Sequence, residues 1–217
     1  MKSLLCSLFG LSVAAMGESM GLSVWMSAST GDVLGLERAL ASEKSVSTLN
    51  VRGSGGQTPL MAACLHGHAD VVIALLTAGA DPEIGEEQGY TCLHGAGFQG
   101  RASVIRAVAA FPHFSAIVPY GRHADGYAPA HRAAWGKEKR HAEALAAFFE
   151  TGVSIDIEAA SGETPRVLAE KSRFRTMIDV IEEFEDKQVA AADAAREKLT
   201  RKTTEVAGEA SDTILEL

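Results

Sequence analysis

The stretch QTPLMAACLHGHADVVIALLTAGADP, residues 57–82, decides the fold. Thr58-Pro59 reads as a turn entering a helix. Proline suits the first helical position, where an amide hydrogen has no partner within the helix. Leu60, Ala63 and Cys64 then recur at helical spacing on one apolar face. Gly67 ends that helix, because glycine takes the left-handed conformation after a helix end at little cost. Val71, Val72, Leu75 and Leu76 make a second apolar run, and Gly79 closes it. The spacing predicts a helix–turn–helix of roughly two turns per helix. Helices that short do not persist alone in water, so the unit needs neighbours.

The neighbours are visible as copies. Thr91-Cys92-Leu93-His94 follows Thr58-Pro59-Leu60-Met61 by 33 residues (91 − 58), and Gly100 follows Gly67 by 33 (100 − 67). Ala128-Pro129-Ala130-His131 comes 37 residues later (128 − 91), and Thr164-Pro165-Arg166-Val167 a further 36 (164 − 128). A period near 33 with a Thr-Pro-Leu-His signature and a small residue two places on resembles the ankyrin repeat. The resemblance covers roughly residues 20–185. It implies an all-α, ankyrin-type helix–turn–helix solenoid of about five repeats. They fall at about 22–51, 56–88, 89–125, 126–161 and 162–185, with β-turn or hairpin fingers between them.

The end repeats are degenerate, as expected where one face of a solenoid meets solvent. In the first, Val24, Trp25, Ala28 and Gly31 stand at the motif positions and Leu22-Ser23 replaces Thr-Pro. In the last, Lys171, Ser172 and Arg173 occupy the inter-helix turn without a glycine. In the third, Gly95 and Gly97 lie inside the first helix, each costing about 1 kcal/mol against alanine. That predicts the least stable repeat interior. Its finger is lengthened and offers Phe114, Ile117, Val118 and Tyr120 for contact. Residues 186–217 are a charged, alanine-rich tail, expected to be helical to about Thr203 and frayed beyond.

Before the first repeat, Met1-Lys2 precedes an apolar run from Leu4 to Met16 that ends in small residues. Residues 1–17 fit two descriptions: a signal peptide, or a hydrophobic N-terminal segment of the solenoid. The first would place the protein in a secreted or extracytoplasmic setting, the second in the cytoplasm. The run is too short to span a bilayer. Cys64 and Cys92 show no disulfide-framework spacing and read as free thiols packed at small-residue positions. The net charge of −8 argues against general nucleic-acid binding, which needs a basic footprint.

The chemistry available is sparse. Cys64, His66 and His68, with His94 one repeat away, have the residue types of a zinc site. Side chains two apart on a helix diverge, although Gly67 interrupts the helix between the histidines. The resemblance implies instead that His94 and His131 hydrogen-bond the turn backbone of the motif. Cys92 with His94 is a nucleophile–base pair on paper. A cysteine- or metal-dependent hydrolase using Cys64, Cys92 and the histidines is thus the alternative to a binding module. No nucleophile elbow, phosphate loop or His-Glu-x-x-His motif is present.

The resemblance implies a non-catalytic module without cofactor, a monomer that binds another protein through its concave face and fingers. The contact candidates are Glu83, Glu86 and Glu87 on one finger with Tyr90 at its end, Arg122, His123 and Tyr127 on the next, and Arg132 and Trp135 on the following helix. Trp135 can be an anchor or core filler. Gly136-Lys137-Glu138-Lys139-Arg140, with Arg132 and His141, is a compact basic cluster between two helices. It is either a solvated insertion or a docking spot for an acidic segment or phosphate.

Overall fold

The computed structural model describes residues 23–42, 49–53, 55–112, 121 and 123–215, without the side chains of Ser42, Glu87, Leu199 and residues 201–215. The apolar leader, Cys6, Phe114, Ile117, Val118, Tyr120 and Arg122 lie outside the described residues.

The helices come in pairs. Residues 23–30 form α1 and Val33–Ser42 form α2. Pro59–His66 (α3) pairs with Ala69–Thr77 (α4), and Cys92–Gln99 (α5) with Ala102–Ala109 (α6). Pro129–Ala134 (α7) pairs with Lys139–Glu150 (α8), and Pro165–Ser172 (α9) with Arg175–Leu215 (α10). The Thr-Pro signature acts as the sequence suggests. The Thr58 hydroxyl accepts from the Met61 amide at 3.2 Å while Pro59 occupies the first helical position. Gly67 ends α3 at φ +88°, a left-handed conformation that glycine takes without strain.

The pairs stack into two layers. Inner helices α3, α5, α7 and α9 pack in succession, and so do the outer helices α2, α4, α6, α8 and α10. One apolar core runs through both layers. Leu60, Leu75, Leu93, Ile105, Leu145 and Phe148 are all fully buried in it. Most inner-helix core residues are small, which lets the helices approach closely. The outer helices α4, α6 and α8 are also tied at their starts to the inner helix of the preceding pair. The His68 ring donates to the Ser29 carbonyl at 3.2 Å, Arg101 to Leu65 at 3.2 Å, and His141 to Phe98 at 3.1 Å.

Among the described residues there is no strand, so the fingers are turns and not hairpins. The same closure recurs in each: Gly53 to Gln57, Glu86 to Tyr90, His123 to Tyr127 and Ala159 to Glu163. Backbone hydrogen bonds join neighbouring fingers, from Ala124 to Gln88 and from Ala160 to Gly126.

Several expectations change. Cys64 and Cys92 are not free thiols but a disulfide, with Cα atoms 5.5 Å apart. They occupy different repeat positions, one late in α3 and one at the start of α5, and these face each other where the two helices pack. The tail does not fray at Thr203, since α10 continues to Leu215. Its alanine, glutamate, lysine and arginine content favours helix throughout, and the pairs Arg175–Asp179 and Lys187–Glu183 support it at i, i+4. Gly95 and Gly97 mark close helix packing. A Cβ on Gly97 would lie 2.5 Å from the Pro129 carbonyl oxygen, and one on Gly95 would lie 2.8 Å from the Leu65 side chain. Lys139 and Arg140 belong to the first turn of α8 and not to the loop before it.

Candidate partner-binding surface

The motif histidines anchor the fingers to the inner helices. Nδ1 of His94 accepts from the Thr91 amide at 3.2 Å, and its Nε2 donates to the Tyr127 carbonyl of the next finger at 3.1 Å. His131 repeats this, accepting from the Ala128 amide at 3.2 Å and donating to the Ile157 and Glu163 carbonyls at 3.1 and 3.0 Å. Both rings are buried and their geometry requires the neutral form with the proton on Nε2. Burial is the main reason His94 titrates low, at about 4, with the positive charge of Arg132 adding to it.

Around these histidines the chain assembles a cluster from three elements. Arg132 projects from α7 and is only 7% exposed. A buried guanidinium needs a partner, and it donates to Asp125 at 2.6 Å and to Nδ1 of His123 at 3.0 Å. Its guanidinium carbon lies 4.7 Å from the ring centre of Trp135, 5.5 Å from Tyr90 and 5.9 Å from Tyr127. Partial burial acts against the Asp125 carboxylate. Hydrogen bonds from Arg132 and the Tyr127 amide outweigh it and, with the charge of Arg132, hold the group below the usual carboxylate range. Burial raises the Tyr90 hydroxyl, Arg132 opposes that, and the charges of Glu86 and Asp125 add to it.

The rings pack on one another as well. Tyr127 and Trp135 have centres 4.7 Å apart, and Tyr90 meets His123 edge-on at 5.6 Å. The Tyr127 hydroxyl donates to Glu163, which also binds Lys171 and Ser161. Those three contacts, Lys171 foremost, pull the Glu163 carboxyl well below its ordinary value.

Of the residues singled out from sequence, Tyr90, His123, Tyr127, Arg132 and Trp135 thus come together. Glu86 borders them half-buried, and Glu83 is exposed on the same finger with its amide bonded to Asp81. The side chain of Glu87 and all of Arg122 lie outside the described residues. Asp125 and Glu163 escaped the sequence reading although both help hold the cluster. Each is a single acid in a turn, one residue before a glycine or a threonine, and nothing in that spacing signals a partner one element away.

The other constellation does not assemble. The ring of His66 donates to the Ala62 carbonyl at 2.9 Å, His68 is committed to Ser29, and Cys64 is in the disulfide. Among the described residues no group of three or more His, Cys, Asp and Glu side chains is placed to hold a metal ion. A disulfide sulfur is not a thiolate, so the pairing of Cys92 with His94 as nucleophile and base is withdrawn. A family model described as ankyrin repeats (many copies) matches residues 40–96.

Proposed function

The chain is an ankyrin-repeat protein, and from that premise we propose that it binds a protein partner through the Tyr90–His123–Tyr127–Trp135 surface. Ankyrin repeats serve generally as protein-interaction modules. The observation that carries the reading is the position of Arg132, buried against the rings of Tyr90, Tyr127 and Trp135 and fixed by Asp125. Rings held this way lose little freedom on binding, which is why aromatic and arginine clusters dominate interface energetics. Glu83 and Glu86 give the surface an acidic border, suited to a partner with an apolar anchor flanked by basic residues.

The test is affinity purification of the full chain from its source cells. A stoichiometric partner should co-purify, and Trp135→Ala should abolish its retention while the circular dichroism of the bait stays unchanged. Charge reversal at Glu83 and Glu86 should weaken retention most at low salt, and the difference should fade as salt is raised. A bait that emerges without partner at physiological salt would overturn the proposal.

A further inference from the structure

The turn between α7 and α8 differs from the two equivalent turns before it. From the motif residue to the residue that ties the outer helix, the chain takes ten steps in two repeats (Thr58 to His68, Thr91 to Arg101) and thirteen here (Ala128 to His141). The extra residues open a recess of about 260 Å³ at the ends of α5 and α7, walled by Phe98 and Trp135. Gly136 is packed so tightly on His141 that a Cβ there would lie 1.9 Å from the imidazole Cγ. The recess is therefore held in shape by the fold.

Its polar lining is Gln99, Arg132, Glu138, Arg140 and His141. Arg132 and His141 are each 7% exposed, and each has a buried polar atom without a hydrogen-bond partner, Nε of Arg132 and Nδ1 of His141. His141 spends its Nε2 proton on Phe98, so Nδ1 can take a proton or accept a hydrogen bond. The start of α8 points the same way. Its cap residue, Glu138, makes no side-chain cap and pairs instead with Arg140 at 2.9 Å. Its first three residues are Lys139, Arg140 and His141, the opposite of the acidic residues that the positive end of a helix prefers. Two guanidiniums, Arg132 paired with Asp125 and Arg140 paired with Glu138, and an uncapped helix start border this recess. An oxyanion would supply the acceptor that Nε of Arg132 and the first amides of α8 lack.

We propose that this recess binds a phosphate monoester, free or carried on a partner's side chain. Donors reach it from α5, α7 and the first turn of α8, an arrangement that suits a tetrahedral group better than a planar carboxylate. Nδ1 of His141 accepts the P–OH hydrogen of the monoanion or, once protonated, donates to the dianion. The site shares Arg132 and Trp135 with the partner surface but does not depend on it.

The full chain is titrated with inorganic phosphate and separately with O-phosphoserine, at matched ionic strength with chloride and serine as controls. Tryptophan fluorescence and the His141 ring resonances are followed. Saturable binding is expected, weakened by about tenfold or more in Arg140→Gln, the effect of one charge-assisted hydrogen bond. Lys187→Gln, on α10, should leave it unchanged, and thermal melts should show both variants folded. Tighter binding of O-phosphoserine identifies a side-chain-borne phosphate, and equal or tighter binding of inorganic phosphate identifies the free anion. No saturable response to either, or equal weakening by both variants, overturns the proposal. Phosphate binding should persist in the Glu83→Lys/Glu86→Lys chain, whose hold on the protein partner is weakened, which separates this site from the partner surface.

Discussion

Cys64 in α3 and Cys92 in α5 are joined as a disulfide across a helix–helix interface, with both residues at most 1% exposed. The bond closes a loop over a sequence separation of 28 and so restrains the unfolded chain. Breaking it should lower unfolding free energy by about 2–4 kcal/mol. The measurement is urea unfolding of oxidised protein against the Cys64→Ala/Cys92→Ala double variant. Equal midpoints would show that the crosslink adds nothing. Disulfides of this kind persist in oxidising compartments, so the N-terminal residue of the purified protein should also be determined.

Acid should weaken the array through His94. Its folded pKa is lowered to about 4 by burial, so between about 6.5 and 4 the unfolded chain binds a proton that the folded chain refuses. The stabilisation is fully present above the unfolded value and is lost as pH falls towards the folded one. At full extent the loss is about 3 kcal/mol. Urea midpoints at pH 7.5 and pH 4.5 should differ more in the native chain than in His94→Gln. Parallel pH dependence in the two would remove His94 as the cause.

Gly97→Ala should destabilise, although alanine is the better helix former by about 1 kcal/mol. The new methyl would press on the Pro129 carbonyl at 2.5 Å, and the inner helices would have to move apart. A loss of about 1–3 kcal/mol is expected from overpacking of this kind. A gain in melting temperature would mean that α5 and α7 are less closely held than the geometry states.

Arg173 offers the reverse. It ends α9 at φ +55°, a left-handed conformation that a side chain disfavours. Arg173→Gly should therefore stabilise by about 0.5–1 kcal/mol, read as a rise in thermal midpoint. A fall would show that the arginine side chain holds the turn in some other way.

Much of this was legible in the chain. The Thr-Pro starts, the turn glycines Gly67 and Gly100 and the stripes Val71–Leu75 and Val104–Val108 carry their own local reasons, and the structure follows them. What was hidden depends on facing pairs. Nothing in a separation of 28 residues says that position 64 of one helix meets position 92 of the next. Gly95 and Gly97 read as weak helix formers because propensity is local, whereas their use is set by Leu65 and Pro129 on other helices. The surface candidates read as separate residues of two fingers and the following helix. That Arg132 packs against the rings of the others, and that Asp125 fixes it, depends on the way three elements converge.

The three ties His68–Ser29, Arg101–Leu65 and His141–Phe98 also have a mechanical reading. Each joins one helix pair only to the pair before it, so tension applied at the two ends would reach the interfaces in series. Pairs would detach one after another, giving a sawtooth of small force drops instead of one rupture. The covalent link between Cys64 and Cys92 joins two adjacent pairs and would withhold the chain it encloses, and reduction would release that further contour length, a sequence separation of 28.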